Sequence, residues 1–291
     1  MTQDPKQTPS PIGVVYNTSM ARADAALALA ALYVAASRRQ ARVNGVAVNG
    51  SGLGAAIFCD VVARFYTGTA RTPSSNAVLP IGFDSDATAA DPPMVGRALA
   101  RTRPNGQPQY VRSIQRVSDT AAPDALLRNA VTLTPETIVV LSAPATWLAQ
   151  SIALAGVEGQ YERRVKRVVI VEAGDTGRDA AALKRVAALP VPVVFCGSEV
   201  GESLRVTASR FDGAFAWAPA HPVADAVAAG AASDLPLHDL AAMYFALSPE
   251  SPFFTVTDRR LSLAAGAAPA CLTELLSLAT SRPAPPPART A

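Results

Sequence analysis

Charge is scarce in this chain. Only 17% of its 291 residues are Asp, Glu, Lys or Arg, and only 6% are aromatic. Low charge beside 49% hydrophobic content argues against disorder, and the length suffices for a large core, as one α/β domain or two smaller ones. The few basic pairs, such as Arg38-Arg39, Arg163-Arg164 and Arg259-Arg260, have little aromatic company. Most fall at expected helix ends or strand starts, where dipole-capping charges are ordinary, so nucleic acid is not an expected partner. Cysteine is nearly missing as well. Cys59, Cys196 and Cys271 lie far apart without metal-ligand spacing and are expected as buried, reduced thiols of a cytoplasmic protein. The apolar run 25–36 is too short to cross a bilayer, and MTQDPKQTPSP at the start lacks the apolar core of a signal peptide. No membrane partner is expected.

What is present is organised around residues 11–32, PIGVVYNTSMARADAALALAAL. The segment reads as a short strand over 12–16, a polar turn at Asn17, Thr18 and Ser19, and a long Ala/Leu helix that Thr18 or Ser19 would cap. In an open parallel sheet ligands gather where strands end and helices begin, which makes this turn the first place to look for chemistry. Further strands are expected at 42–48, 78–83, 137–141, 168–171 and 191–196, all apolar and β-branched. Helices are expected at 53–66, 91–101, 124–131, 145–155, 179–189, 221–232, 237–247 and 270–279, with a long loop over 105–120 and a short β-rich piece at 253–257. This alternation predicts a mostly parallel central sheet with helices on both faces, an α/β fold. Residues 11–280 should form one domain, between a polar arm (1–10) and a Pro-rich tail (281–291) unable to order themselves.

The opening segment resembles that of the inosine–uridine-preferring nucleoside hydrolase family: a strand, an Asp-rich turn D-x-D-x-x-x-D-D, and a helix reading A-L-A-L. Here Ala26-Leu27-Ala28-Leu29 is kept, but of the acids only Asp24 remains, with Asn17, Thr18 and Ser19 in the turn. Leu237-His238-Asp239-Leu240, leading through residues 241–249 to Pro249 and Phe253-Phe254, resembles the family's late His-Asp pair. The segment IVVLSAPATWLA at 138–149 resembles its strand followed by Gly-Pro-Leu-Thr-Asn-Leu-Ala. After 168–171 the family's ribose-gripping run is missing, and Glu172 to Arg178 lead almost directly into the next helix.

The resemblance implies a nucleoside hydrolase-like fold and hydrolysis of the N-glycosidic bond of ribonucleosides. It also implies a calcium ion that holds the ribose diol and a water which an Asp deprotonates. By this match Asp24 and Asp239 are metal ligands, Ser142 supplies a backbone carbonyl, Asp24 and His238 are catalytic, and Asn17, Thr18 and Asn49 line a substrate site. The alternative reading of the late pair is that Asp239 caps a helix and His238 is a packed or surface histidine. Calcium takes about 6 to 8 oxygen ligands, and three are too few for the usual site. The expectation is therefore no calcium-dependent hydrolysis, with a ribonucleoside-like small molecule as ligand or another subunit as partner; self-association is compatible with either.

Three other features have competing readings. Asn49-Gly50-Ser51-Gly52-Leu53-Gly54 follows a strand and opens a helix as a dinucleotide fingerprint does, but its glycines are spaced G-x-G-x-G and no acid follows at the usual distance. Asp84 and Asp86 either rebuild the metal site or form Asx turns, and Asp175 is either a sugar contact or a turn residue.

Overall fold

The computed structural model describes residues 10–68, 81–83, 89–173, 175–230 and 234–285. The chain runs β1 (Ile12–Thr18), α1 (Ala23–Ser37), β2 (Ala41–Val48), α2 (Leu53–Thr67), β3 (Ile81–Phe83), α3 (Pro93–Leu99), α4 (Pro123–Ala130) and β4 (Thr137–Ser142). It continues through α5 (Thr146–Ala153), α6 (Val157–Arg164), β5 (Val165–Val171), α7 (Ala180–Ala187), β6 (Val193–Cys196), α8 (Ser198–Glu202) and β7 (Arg205–Thr207). The last elements are α9 (Pro222–Gly230), β8 (Asp234–Pro236), α10 (His238–Leu247), β9 (Phe254–Thr257), β10 (Arg260–Leu263) and α11 (Ala268–Thr280).

Eight strands form one sheet in the order β3-β2-β1-β4-β5-β6-β10-β9, parallel except for the β10–β9 hairpin. The expected neighbours β2, β1, β4, β5 and β6 do lie side by side. Strand order reverses between β1 and β4, and such a switch point opens a crevice at the C-terminal ends of the strands. There Thr18 pairs with Ser142, so the turn after β1 and the turn after β4 share one rim.

Both sheet faces are covered, as the near-continuous apolar strands require. One face carries a core built around α1, with Tyr16, Val140 and Val169 pointing into it; the other carries Val15, Leu141 and Ile170 against α4, α5 and α7. Helix α1 is buried from Ala23 to Ala35 on every side. A helix apolar all round is stable only in such a position, and its alanines let its neighbours approach closely.

Three differences from the sequence reading have physical causes. Helix α1 starts at Ala23 rather than beside Thr18, because the hydroxyls of Thr18 and Ser19 bond the nearby amides of Met20 and Ala21 and are spent within the turn. Helix α6, unexpected from its polar sequence, needs only Val157 and Tyr161 on its buried side. Strand β10 was hidden behind Arg259-Arg260: Asp258 and Arg259 both take positive φ (49° and 66°), as a two-residue hairpin turn requires. Arg259 then donates to the Ala187 carbonyl at the end of α7 (2.7 Å), and Arg260 pairs with Glu172 (2.6 Å). The three cysteines are free and buried. Among the described residues no helix is long and apolar enough to cross a membrane.

His221 stands at the start of α9 inside an aromatic box, its ring centre 4.3 Å from Phe215, 4.6 Å from Phe65 and 4.8 Å from Trp217. Its Nδ1 accepts from the Ala224 amide (3.3 Å), while Nε2 lies 3.2 Å from the Tyr66 hydroxyl. Burial pushes its pKa down to about 3. In the unfolded chain the ring takes up its proton near the ordinary value of about 6.5. The stability it contributes is therefore whole above pH 6.5 and lost as pH falls toward 3. At pH 5 this residue alone should cost about 2 kcal/mol relative to neutral pH. His221→Asn, which keeps a helix-capping acceptor, should show a shallower loss of stability between pH 6.5 and 5 in urea titrations, and an unchanged slope would contradict the assignment.

Candidate functional site

At the β1–β4 switch point the N-termini of α1 and α10 meet. The Asp239 amide, in the first turn of α10, donates to Asp24 Oδ2 at 2.6 Å, so a carboxylate on the first turn of one helix satisfies an open donor of the other. Asp239 in turn accepts from Tyr16 Oη (3.2 Å) and from Ser142 Oγ (2.5 Å). Both carboxylates are buried.

Between them stands Arg22, the residue that sequence reasoning missed. Its Nη2 donates to Asp239 Oδ1 at 2.5 Å and to Ser142 Oγ at 3.3 Å, its Nη1 donates to the Ala173 carbonyl at 2.8 Å, and its Nε lies 3.4 Å from Asp24 Oδ1. Its side chain keeps 23% exposure, the only part of this cluster with appreciable access to solvent. A signal existed: where the resemblance calls for acids, the turn carries a base two positions before Asp24.

The electrostatics follow from one cation among two buried acids. Burial first, then repulsion from Asp239, raises the Asp24 pKa above the usual carboxylate range, against the opposing pull of Arg22. Burial and Asp239 hold the Tyr16 phenol well above its usual range, so it remains a donor. Burial disfavours the Arg22 charge, but Asp239 and Asp24 more than offset that and keep the guanidinium protonated.

Of the residues singled out in the sequence, Asp24, Asp239 and Ser142 come together here; Ser142 contributes its hydroxyl rather than its carbonyl to the cluster. Thr18 lies beside Ser142 in register, with Oγ1 accepting from the Met20 amide. Asn17 does not join them. It follows Val15 by two positions and pairs in register with Ala47 and Leu141, so it lies on the opposite sheet face. Neither polar atom of its buried amide has a hydrogen-bond partner among the described residues. Asn49 donates to the Pro144 carbonyl (2.9 Å) and so ties two rim loops together. Asp84 and Asp86 lie outside the described residues, as does the side chain of Asp175. No three His, Cys, Asp or Glu among the described residues are grouped to hold a metal ion.

The glycine-rich turn before α2 receives an acid from within the protein. Asp91 Oδ1 accepts from the Ala55 amide in the first turn of α2 at 3.2 Å. A Cβ on Gly54 would fall 2.3 Å from Asp91 Oδ2, and one on Gly52 2.6 Å from Oδ1. The glycines admit this carboxylate to the helix N-terminus where the dinucleotide reading would have set a pyrophosphate.

His238 is turned toward α8. Its Nε2 lies 3.7 Å from Glu202 Oε1, and a Cβ on Gly201 would fall 2.1 Å from its Nδ1 and 2.7 Å from its backbone nitrogen. Burial, helped by Arg22, lowers its pKa. Gly201→Ala should therefore cost about 1 to 3 kcal/mol, the usual range for overpacking. His238→Ala in the same chain should recover part of that loss by freeing the ring's space. Additive losses in chemical denaturation would show that the ring does not pack there.

No family model and no curated protein matches this chain. Solved structures do. A plant nucleoside hydrolase, PpNRh1, superposes with TM-score 0.62 at 14% identity, over 93% of this chain and 99% of that one. The inosine–uridine preferring nucleoside hydrolase from Bacillus anthracis gives 0.61 at 13% identity, over 92% and 99%. The type III effector XopQ, solved with adenosine diphosphate ribose, gives 0.59 at 14% identity, over 94% of each chain. At these identities the likeness is one of fold, and by that measure the chain has a nucleoside hydrolase-like fold over nearly its whole length.

Proposed function

We propose that this protein is a non-hydrolytic relative within the nucleoside hydrolase-like fold, one that binds a ribonucleoside-like small molecule at the β1–β4 rim without calcium chemistry. The observation that carries the reading is the Arg22 guanidinium standing between Asp24 and Asp239. Hydrolysis of an N-glycosidic bond needs a water and a base able to take its proton. Burial and the neighbouring Asp239 raise the Asp24 pKa, but its geometry does not suit that work. One of its oxygens faces the Asp239 amide, the other faces Arg22, and the residue is wholly buried.

The leaving-group acid fares no better on this reading. His238 packs on α8, and its lowered pKa leaves it neutral at physiological pH, without the proton an imidazolium would deliver. Nor do the residues as arranged fit a calcium ion, because a positive group already lies within hydrogen-bond distance of the Asp239 and Ser142 oxygens. What supports a ligand is the class of molecule named for the solved structures of this fold, nucleoside hydrolases and an effector solved with adenosine diphosphate ribose. Asn49 Oδ1, buried in a rim loop, lacks a hydrogen-bond partner among the described residues.

Incubating the purified chain with inosine or uridine, with and without calcium, should release no free base above background. Calorimetric titration with inosine, uridine and adenosine diphosphate ribose should give binding to at least one of them that calcium does not alter. Calcium-dependent base release, abolished by Asp24→Asn or Asp239→Asn, would overturn the non-hydrolytic reading. Absence of binding to all three would overturn the ligand reading and point to a subunit-interaction role.

A further inference from the structure

We propose that a hollow beside α2 is a second binding site, one for a small organic phosphate: Arg103 and Arg112 take the phosphate group, and the body of the molecule lies against Ile57 and Val111. The hollow measures about 550 Å³, and Gln107 and Gln115 also line it. Small-molecule sites usually measure about 300 to 1,000 Å³, so there is room for an organic body beside the phosphate group. The charged and amide donors on its wall are two guanidiniums and two glutamines, and no carboxylate lines it among the described residues. A guanidinium meets phosphate oxygens two at a time, and a pair of them matches the charge of a phosphate group near neutral pH.

The positive charge here is left without an internal partner. Residues 92–118 contain five arginines and neither an acid nor a lysine. Acids outside the segment answer two of them, Asp225 for Arg101 and Asp119 for Arg116, and Arg97 donates to the Ala229 carbonyl (3.3 Å). Arg103 gives one terminal nitrogen to the Gln109 carbonyl (3.3 Å), and Arg112 bonds to no described residue. Asp60 of α2, the acid that holds the strap next to Arg112, is already occupied. It accepts from Arg64 Nε (2.9 Å) and from the amides of Ser113 (2.5 Å) and Ile114 (3.2 Å). Those bonds fix to α2 the strap that carries Arg112. A small hairpin fixes the other side: the Arg103 amide donates to the Gln107 carbonyl (2.8 Å), and the Gln109 amide to the Arg101 carbonyl (2.9 Å). Charges carried on backbone already held in place lose less freedom when an anion binds between them. None of the lining residues belongs to the β1–β4 rim, so the site stands apart from the ligand reading given there.

The test is calorimetric titration of the full chain with naphthyl phosphate, with naphthol and naphthoate as controls for the body and for a carboxylate. The phosphate should bind saturably, naphthol should not bind, and naphthoate should bind more weakly than the phosphate. Arg103→Ala and Arg112→Ala change exposed positions and should melt as the unaltered protein does. Each should weaken phosphate binding about tenfold or more, as loss of a charge-assisted hydrogen bond implies. Arg97→Ala, a change in the same basic stretch but outside the hollow, should leave the affinity as it is. No binding of naphthyl phosphate, equal binding of naphthoate, or an affinity unmoved by both Arg103→Ala and Arg112→Ala would overturn the proposal. Displacement of the probe by inosine, which has no phosphate, would place it at the rim and overturn the proposal too.

Discussion

One positive charge among two buried negative ones holds the central part of this protein together. Asp24 and Asp239 would repel each other and resist burial, yet they sit where two helices begin. Each helix N-terminus contributes roughly half a positive charge. Two such termini and Arg22 together offset the burial of the two carboxylates. That balance lets α1 and α10 converge at the sheet's switch point.

The same device occurs twice. At the start of α2 the carboxylate of Asp91 takes the place in which an anionic ligand would be held, and Gly52 and Gly54 make room for it. At the start of α1 the guanidinium of Arg22 stands against Asp239 and Asp24. In both cases a frame associated with ligand binding is satisfied from inside the chain. A fold of this kind does not by itself determine the chemistry at its rim.

Much of the fold was legible because stretches such as 137–141 and 168–171 are apolar enough for a buried parallel sheet, and α1 declares itself by composition. What escaped depended on distant partners. Strand β10 exists because β6 offers it an edge, and no local pattern records that. The site was half legible. Asp24 and Asp239 stand out by their setting, but the pairing of Arg22 with Asp239 spans 217 positions and rests on the reach of one long side chain. The sheet face of Asn17 was hidden for a simpler reason: a polar residue at the end of a strand looks the same whichever face it occupies.

The β9–β10 hairpin has a bearing on how this molecule behaves at high concentration. A parallel sheet that ended at β6 would offer its flank to any passing extended segment. The hairpin closes that flank with a strand of four residues, Phe254–Thr257, whose last three residues are exposed and include two threonines. Very short edges are poor templates for adding a further strand. The tight turn at Asp258 and Arg259 thus sets a strand of four residues, in place of β6, at the edge of the sheet.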